Sequence, residues 1–150
     1  MQISRRNFLI GGTCIAGAIG AAGYLHLGPA ADAQLTPVQA HERALSGDIL
    51  LIDIRRPDEW AKTGIARGAN PLDMRRNDFA EVLTNLANGD TNQQIAVMCA
   101  RGVRSRRLSS QLTDAGFTQI IDVPEGMLGS FAGPGWLARD LPVNPYAPPS

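Results

Sequence analysis

Apolar and polar positions along this chain follow two kinds of repeat. Three short stretches are almost continuously apolar: Ile49-Leu50-Leu51-Ile52-Asp53-Ile54, Ile95-Ala96-Val97-Met98 and Ile120-Ile121-Asp122-Val123. Runs of this length without alternation predict strands buried on both faces. Between them, apolar residues recur at helical spacing. Thr36-Pro37 offers a capping hydroxyl and a first-turn proline. Val38 and Leu45 then give a modest stripe that Ser46-Gly47 ends. Phe79, Val82, Leu83 and Leu86 predict a second helix, capped by Asn77 and stopped by Asn88-Gly89-Asp90. Leu108, Leu112 and Ala115 predict a third, from Ser105 to Ala115, with Gly116 as its terminator.

The remaining segments are shorter. Arg55 to Trp60 turns into a short helix, and Gly64, Gly68 and Pro71 predict an irregular connection. Trp136 to Arg139 reads as another short helix, and the proline-rich stretch from Leu141 to Ser150 as a loosely held tail. Strands alternating with helices predict an α/β domain of three layers, a central parallel sheet flanked by helices.

The first 33 residues read as an address rather than fold. Ser4-Arg5-Arg6-Asn7-Phe8-Leu9 precedes an apolar run to about Leu27, and the small-residue pattern Ala31-Asp32-Ala33 follows. Charged start, apolar middle and A-x-A end are the parts of an export signal. The paired arginines resemble the twin-arginine motif, which implies a protein that folds before crossing the membrane into the periplasm. A retained membrane anchor is the alternative. Residues 34–150 then form a single domain with a core at about 36–143 and a tail at 144–150. Cleavage after Ala33 leaves 117 residues with 12 basic and 13 acidic side chains. No global field recruits nucleic acid, and a membrane is met only through the export signal if that is retained. Two cysteines and two histidines cannot supply a structural zinc set, and no cofactor is expected. Cys14 falls in the signal, so Cys99 is left without a disulfide partner, exposed to oxidation in an oxidising compartment.

The chemistry concentrates at Cys99-Ala100-Arg101-Gly102-Val103-Arg104-Ser105. A cysteine at the C-terminal end of a parallel strand, just before a helix, sits where open α/β sheets place their sites. The free N–H groups of that helix and the charges of Arg101 and Arg104 favour an anion there, a thiolate or the sulfur it carries. A buried core thiol is the plainer reading, but such a residue belongs inside the strand rather than at the head of a charged, glycine-containing loop.

The order of motifs resembles that of the single-domain rhodaneses, a sulfurtransferase family. Asp53-Ile54-Arg55-Arg56-Pro57-Asp58-Glu59-Trp60 is similar to the family's D-V-R-x-x-x-E-[FYW] segment. Gly64-Ile65-Ala66-Arg67-Gly68-Ala69-Asn70 is similar to H-I-x-G-A-x-N, with Gly64 in place of the histidine. Cys99 to Ser105 looks like the C-x-x-G-x-R-S loop, with Ala100 directly after the cysteine where many members carry arginine. Gly116-Phe117 through Glu125-Gly126-Met127 resembles the G-[FY]…G-G-M ending, with Glu125 at the first glycine. Gly133-Pro134-Gly135 lengthens the approach to the final tryptophan.

The resemblance implies a rhodanese-like fold and a sulfur transfer in two steps. Cys99 thiolate would take the outer sulfur of a small anionic donor such as thiosulfate. It would then pass that sulfur from a persulfide to a thiol, to cyanide or to a sulfur-accepting protein. Backbone N–H groups from Ala100 to Ser105 would cradle the anion, Arg101 and Arg104 would bind the donor, and Asp53 and Arg55 would support the site. Arg106 and Arg107 read as a solvated helix face, Trp60 and Trp136 as packing residues. Two other classes compete. A persulfide carrier loaded by a partner protein keeps the same cysteine without turnover on a free donor. Tyrosine-type phosphatases and arsenate reductases need a wider loop, with one residue more between cysteine and arginine than the four here.

Overall fold

A computed structural model describes residues 33–148. The expected export signal lies outside the described residues, except for Ala33 at its end. Helix α1 (Pro37–Ser46) starts as the sequence predicts. Thr36 Oγ1 accepts the Gln39 N–H at 3.3 Å, and the Gln39 side chain answers by accepting the Thr36 N–H at 3.0 Å. Strand β1 (Leu50–Asp53) and helix α2 (Pro57–Thr63) follow, then β2 (Ile65–Ala66) and β3 (Ala69–Pro71). Helix α3 (Phe79–Leu86), strand β4 (Ile95–Met98), helix α4 (Val103–Asp114) and strand β5 (Ile120–Asp122) complete the main layers. A 3-10 turn (Leu137–Arg139) and β6 (Val143–Asn144) close the domain.

The sheet is parallel, in the order β3-β1-β4-β5. Its edge is extended by one residue: Gln34 bridges Asp122, whose N–H donates to Ala33 O at 2.9 Å. Side chains on a strand alternate between faces, and the burial divides accordingly. Ile52, Ile95, Val97 and Cys99 pack with Leu83 of α3 and with Leu108 and Leu112 of α4. Leu51, Ala96, Met98 and Ile121 pack on the other face with Ala40 of α1, Met127 and Trp136. The expected three-layer α/β domain is therefore the fold, with a core on each side of the sheet. Trp60 and Trp136 are both buried, as expected.

Four local expectations are corrected. The connection around Gly64 and Gly68 is not irregular but contains β2 and β3; β3 is only three residues long and carries Pro71, tolerable because it is an edge strand. Asn77 does not cap α3. Asp78 holds the cap position, but its carboxylate binds Arg76 (2.8 and 2.6 Å) instead of the helix N–H groups. The short helix at Trp136 is a single 3-10 turn beginning at Leu137. The tail is held where loose ends were expected. β6 pairs antiparallel with β2, Trp136 Nε1 donates to Pro142 O at 3.0 Å, and the Tyr146 ring meets Trp60 edge-on at 5.2 Å.

Candidate active site

Strand β4 delivers Cys99 to the C-terminal edge of the sheet, and the chain reverses at once into α4. The reversal depends on Gly102, which has φ +81° and leads directly into the helix. A Cβ at this position would lie 2.2 Å from Pro124 O, so only glycine fits both the conformation and the space. The Gly102 N–H donates to Cys99 Sγ at 3.1 Å. Ser105 Oγ, fully buried in the first turn of α4, lies 3.6 Å from the same sulfur and donates to Gly102 O at 3.1 Å. From behind, Met127 N–H and Leu128 N–H bind the carbonyls of Cys99 and Ala100, both at 2.9 Å.

Cys99 is 1% exposed, against the exposure to oxidation expected from the sequence. The physical reason is register. Cys99 continues the Ile95, Val97 series that points beneath α3 and α4, and the loop folds over it. Ala100, Gly102 and Ser105 share its burial, whereas Arg101 and Val103 face solvent. Of the backbone N–H groups from Ala100 to Ser105, the one that bonds to the sulfur is that of Gly102.

Arg104 occupies the first turn of α4 and is tied down. Its two terminal nitrogens bind the two carboxylate oxygens of Glu59 at 2.8 and 2.7 Å, a bidentate pair that is about a third exposed on the arginine side. Glu59 also accepts the Arg56 N–H at 3.0 Å, which anchors it to the start of α2. Hydrogen bonds from Arg104 hold the Glu59 carboxyl down to about 2, and the same bonds raise Arg104 above its ordinary value. Glu59 is the functional-site residue that the sequence reading passed over. Its place in the segment Asp53 to Trp60 was the available signal.

Asp53 and Arg55, expected as support, are 0% and 1% exposed. Arg55 Nε and Nη2 reach the Asp53 carboxylate at 2.9 and 2.7 Å, Nη1 donates to Thr63 Oγ1 at 2.8 Å, and Nη2 donates to Gly64 O at 2.8 Å. This network binds the C-terminal end of β1 to the far end of α2. Arg101 makes a single long bond, 3.4 Å to Gly129 O. Among the described residues, no three histidine, cysteine or carboxylate side chains group as metal ligands. The arrangement is a buried cysteine sulfur under an N–H-bearing loop, with two arginines at its rim.

Residues 36–130 match the model of the rhodanese-like domain. The thiosulfate sulfurtransferase GlpE of Glaesserella parasuis is 26% identical over 111 residues, covering 74% of this chain and 92% of its own length. The tRNA uridine(34) hydroxylase of Synechocystis sp. is 24% identical over 94 residues, 63% of this chain but 34% of that protein, so the chain spans about a third of such relatives. The polysulfide-sulfur transferase homodimer from Wolinella succinogenes superposes with a TM-score of 0.60 at 24% identity, covering 79% of this chain and 82% of that one. This last likeness speaks to the fold.

Proposed function

The chain belongs to the rhodanese-like domain family, and from that premise we propose that it is a sulfurtransferase working through a Cys99 persulfide. The observation that carries the reading is the sulfur itself. It stands at the end of β4 with the Gly102 N–H directed at it from 3.1 Å. A backbone N–H aimed at sulfur favours its anionic forms, thiolate and persulfide alike.

The thiolate attacks the outer sulfur of thiosulfate, the sulfur–sulfur bond of the donor breaks, and sulfite leaves. Cyanide or a thiol then attacks the outer sulfur of the Cys99 persulfide and carries it off, returning the thiolate. No proton need be taken from the donor, so the loop requires no general base. Arg104, held in one orientation by Glu59, faces the negative charge that the donor brings. Arg101, exposed and bonded at 3.4 Å to Gly129 O, adds a second charge at the rim. Asp53 and Arg55 fix β1 and α2 around the loop rather than touch the donor. The twin-arginine pattern at Arg5-Arg6 supports a periplasmic site of action.

The test is Cys99→Ala in a thiosulfate–cyanide assay. The variant should keep the fold, since a smaller side chain replaces a buried thiol, and should produce no thiocyanate above the uncatalysed rate. Thiocyanate formed at the wild-type rate would sink the mechanism.

A further inference from the structure

Asp122 is buried, and the sulfur cycle above makes no use of it. Side chains alternate along β5. Ile121 packs in the core on the α1 side, so Ile120 and Asp122 face α4. At 6% exposure, Asp122 Oδ1 has no hydrogen-bond partner among the described residues. A carboxylate oxygen left in that state is costly. Burial pushes the Asp122 carboxyl up, and Ser105, Arg106 and the Val123 backbone pull only partly against it. Arg106 is exposed and forms no ion pair among the described residues. The carboxylate therefore lacks a counter-charge in contact with it.

An open cavity of about 620 Å³ lies against this carboxylate, with Ala33, Gln34, Arg106, Ser109 and Thr113 also in its wall. The Ser109 hydroxyl donates to Ser105 O at 2.9 Å, and the Thr113 hydroxyl to Ser109 O at 3.0 Å. With their protons spent on the helix, both oxygens offer only lone pairs to the cavity. Such a wall suits a cation that donates N–H. Gln34 stands beside the unpartnered carboxylate: it is the bridge partner of Asp122, and the Leu35 N–H holds it there by donating to Asp122 O at 3.0 Å.

Cleavage of the expected export signal after Ala33 makes the Gln34 nitrogen the first atom of the matured chain, an α-ammonium at neutral pH. Resting on that cleavage and not on sulfur transfer, we propose that this cavity seats the Gln34 ammonium, paired with the Asp122 carboxylate. Paired strands stand about 4.8 Å apart. The nitrogen is one bond from Gln34 Cα and the carboxylate carbon two bonds from Asp122 Cα, so rotation of the freed terminus brings them together. The cut removes the bond from Asp122 N–H to Ala33 O, 2.9 Å in the uncut chain. A charge-assisted pair replaces that neutral bond. Maturation thus supplies the counter-charge that the uncut chain, with a neutral amide at Gln34, does not have.

The experiment follows the fate of that amine. The full chain is expressed in a bacterium with a twin-arginine route, and the exported protein is purified and read by intact mass and N-terminal peptide mapping. It should begin at Gln34 with a free amine. An unpaired N-terminal glutamine cyclises on standing: its nitrogen bonds to its own side-chain amide carbon, the bond from that carbon to the amide nitrogen breaks, and ammonia leaves with the proton the amine gives up. A protonated, paired amine has no lone pair for this attack. At neutral pH, Asp122→Asn should lose ammonia about tenfold faster than the wild type, the effect of lowering the amine pKa by one unit. The substitution keeps the side chain's size and removes its charge, and circular dichroism checks the fold. The wild type in urea should also cyclise about tenfold faster than when folded, which tests the pairing without any variant. A first residue other than Gln34, a terminus already cyclised on purification, or equal rates in either comparison overturns the proposal.

Discussion

Two arginine–carboxylate pairs stand beside the Cys99 loop, and the contrast between them shows how the site divides its work. Arg55 and Asp53 are both sealed from solvent, and Arg55 spends its remaining donors on Thr63 and Gly64. No donor atom is left for a substrate. Arg104 and Glu59 are equally close, 2.7 Å, but a third of the Arg104 side chain remains exposed at the rim. The first pair is a fastening inside the fold. The second holds a charge in place where an incoming anion can meet it. Identical chemistry thus takes different roles according to burial.

The comparison breaks most visibly at the buried pair. Arg55→Ala leaves the Asp53 carboxylate without its partner at 0% exposure. Losses of about 3–5 kcal/mol are typical of such a change, and urea denaturation should show a loss of that order. A variant as stable as the wild type would show that the pair is not a fastening. Arg104→Ala should instead spare most of the stability and raise KM for thiosulfate about tenfold, with a smaller change in kcat. Glu59→Gln should raise KM only a few-fold, because the guanidinium keeps its charge and loses its orientation. A KM that falls in Glu59→Gln would recast Glu59 as a competitor of the donor. The smallest expected effect is in pH dependence. The Glu59 carboxyl is held at about 2 instead of 4.5. The stabilisation from its pair is therefore complete above about pH 4.5 and fades as pH falls towards 2. Carbon-detected titration of Glu59 should find its midpoint near 2 in the wild type and nearer 4.5 in Arg104→Ala.

Much of this was written in the sequence, for physical reasons that can be named. The runs at Leu50, Ile95 and Ile120 are buried on both faces, so continuous hydrophobicity marked three of the four strands of the sheet. Thr36-Pro37 marked the start of α1 because its cap is local, made within four residues. β3 and β6 were missed because both are two- or three-residue edges whose identity lies in their partners, Leu51 to Asp53 and Ile65 to Ala66. Pairing across such distances leaves no local pattern. Cys99 was legible from the strand–loop–helix order. Its depth was not, since 1% exposure follows from which way an odd position faces once α4 has closed over it. Glu59 was hidden for a related reason: its partner Arg104 is 45 residues away.

The central claim is that Cys99 carries the transferred sulfur, and the most direct measurement is intact mass followed by peptide mapping. The protein is incubated with thiosulfate, desalted and weighed, then treated with cyanide and weighed again. The account predicts a gain of about 32 Da, one sulfur atom on a thiolate, confined to the peptide containing Cys99 and removed by cyanide. An unchanged mass, or a sulfur that stays in place after cyanide, would contradict it.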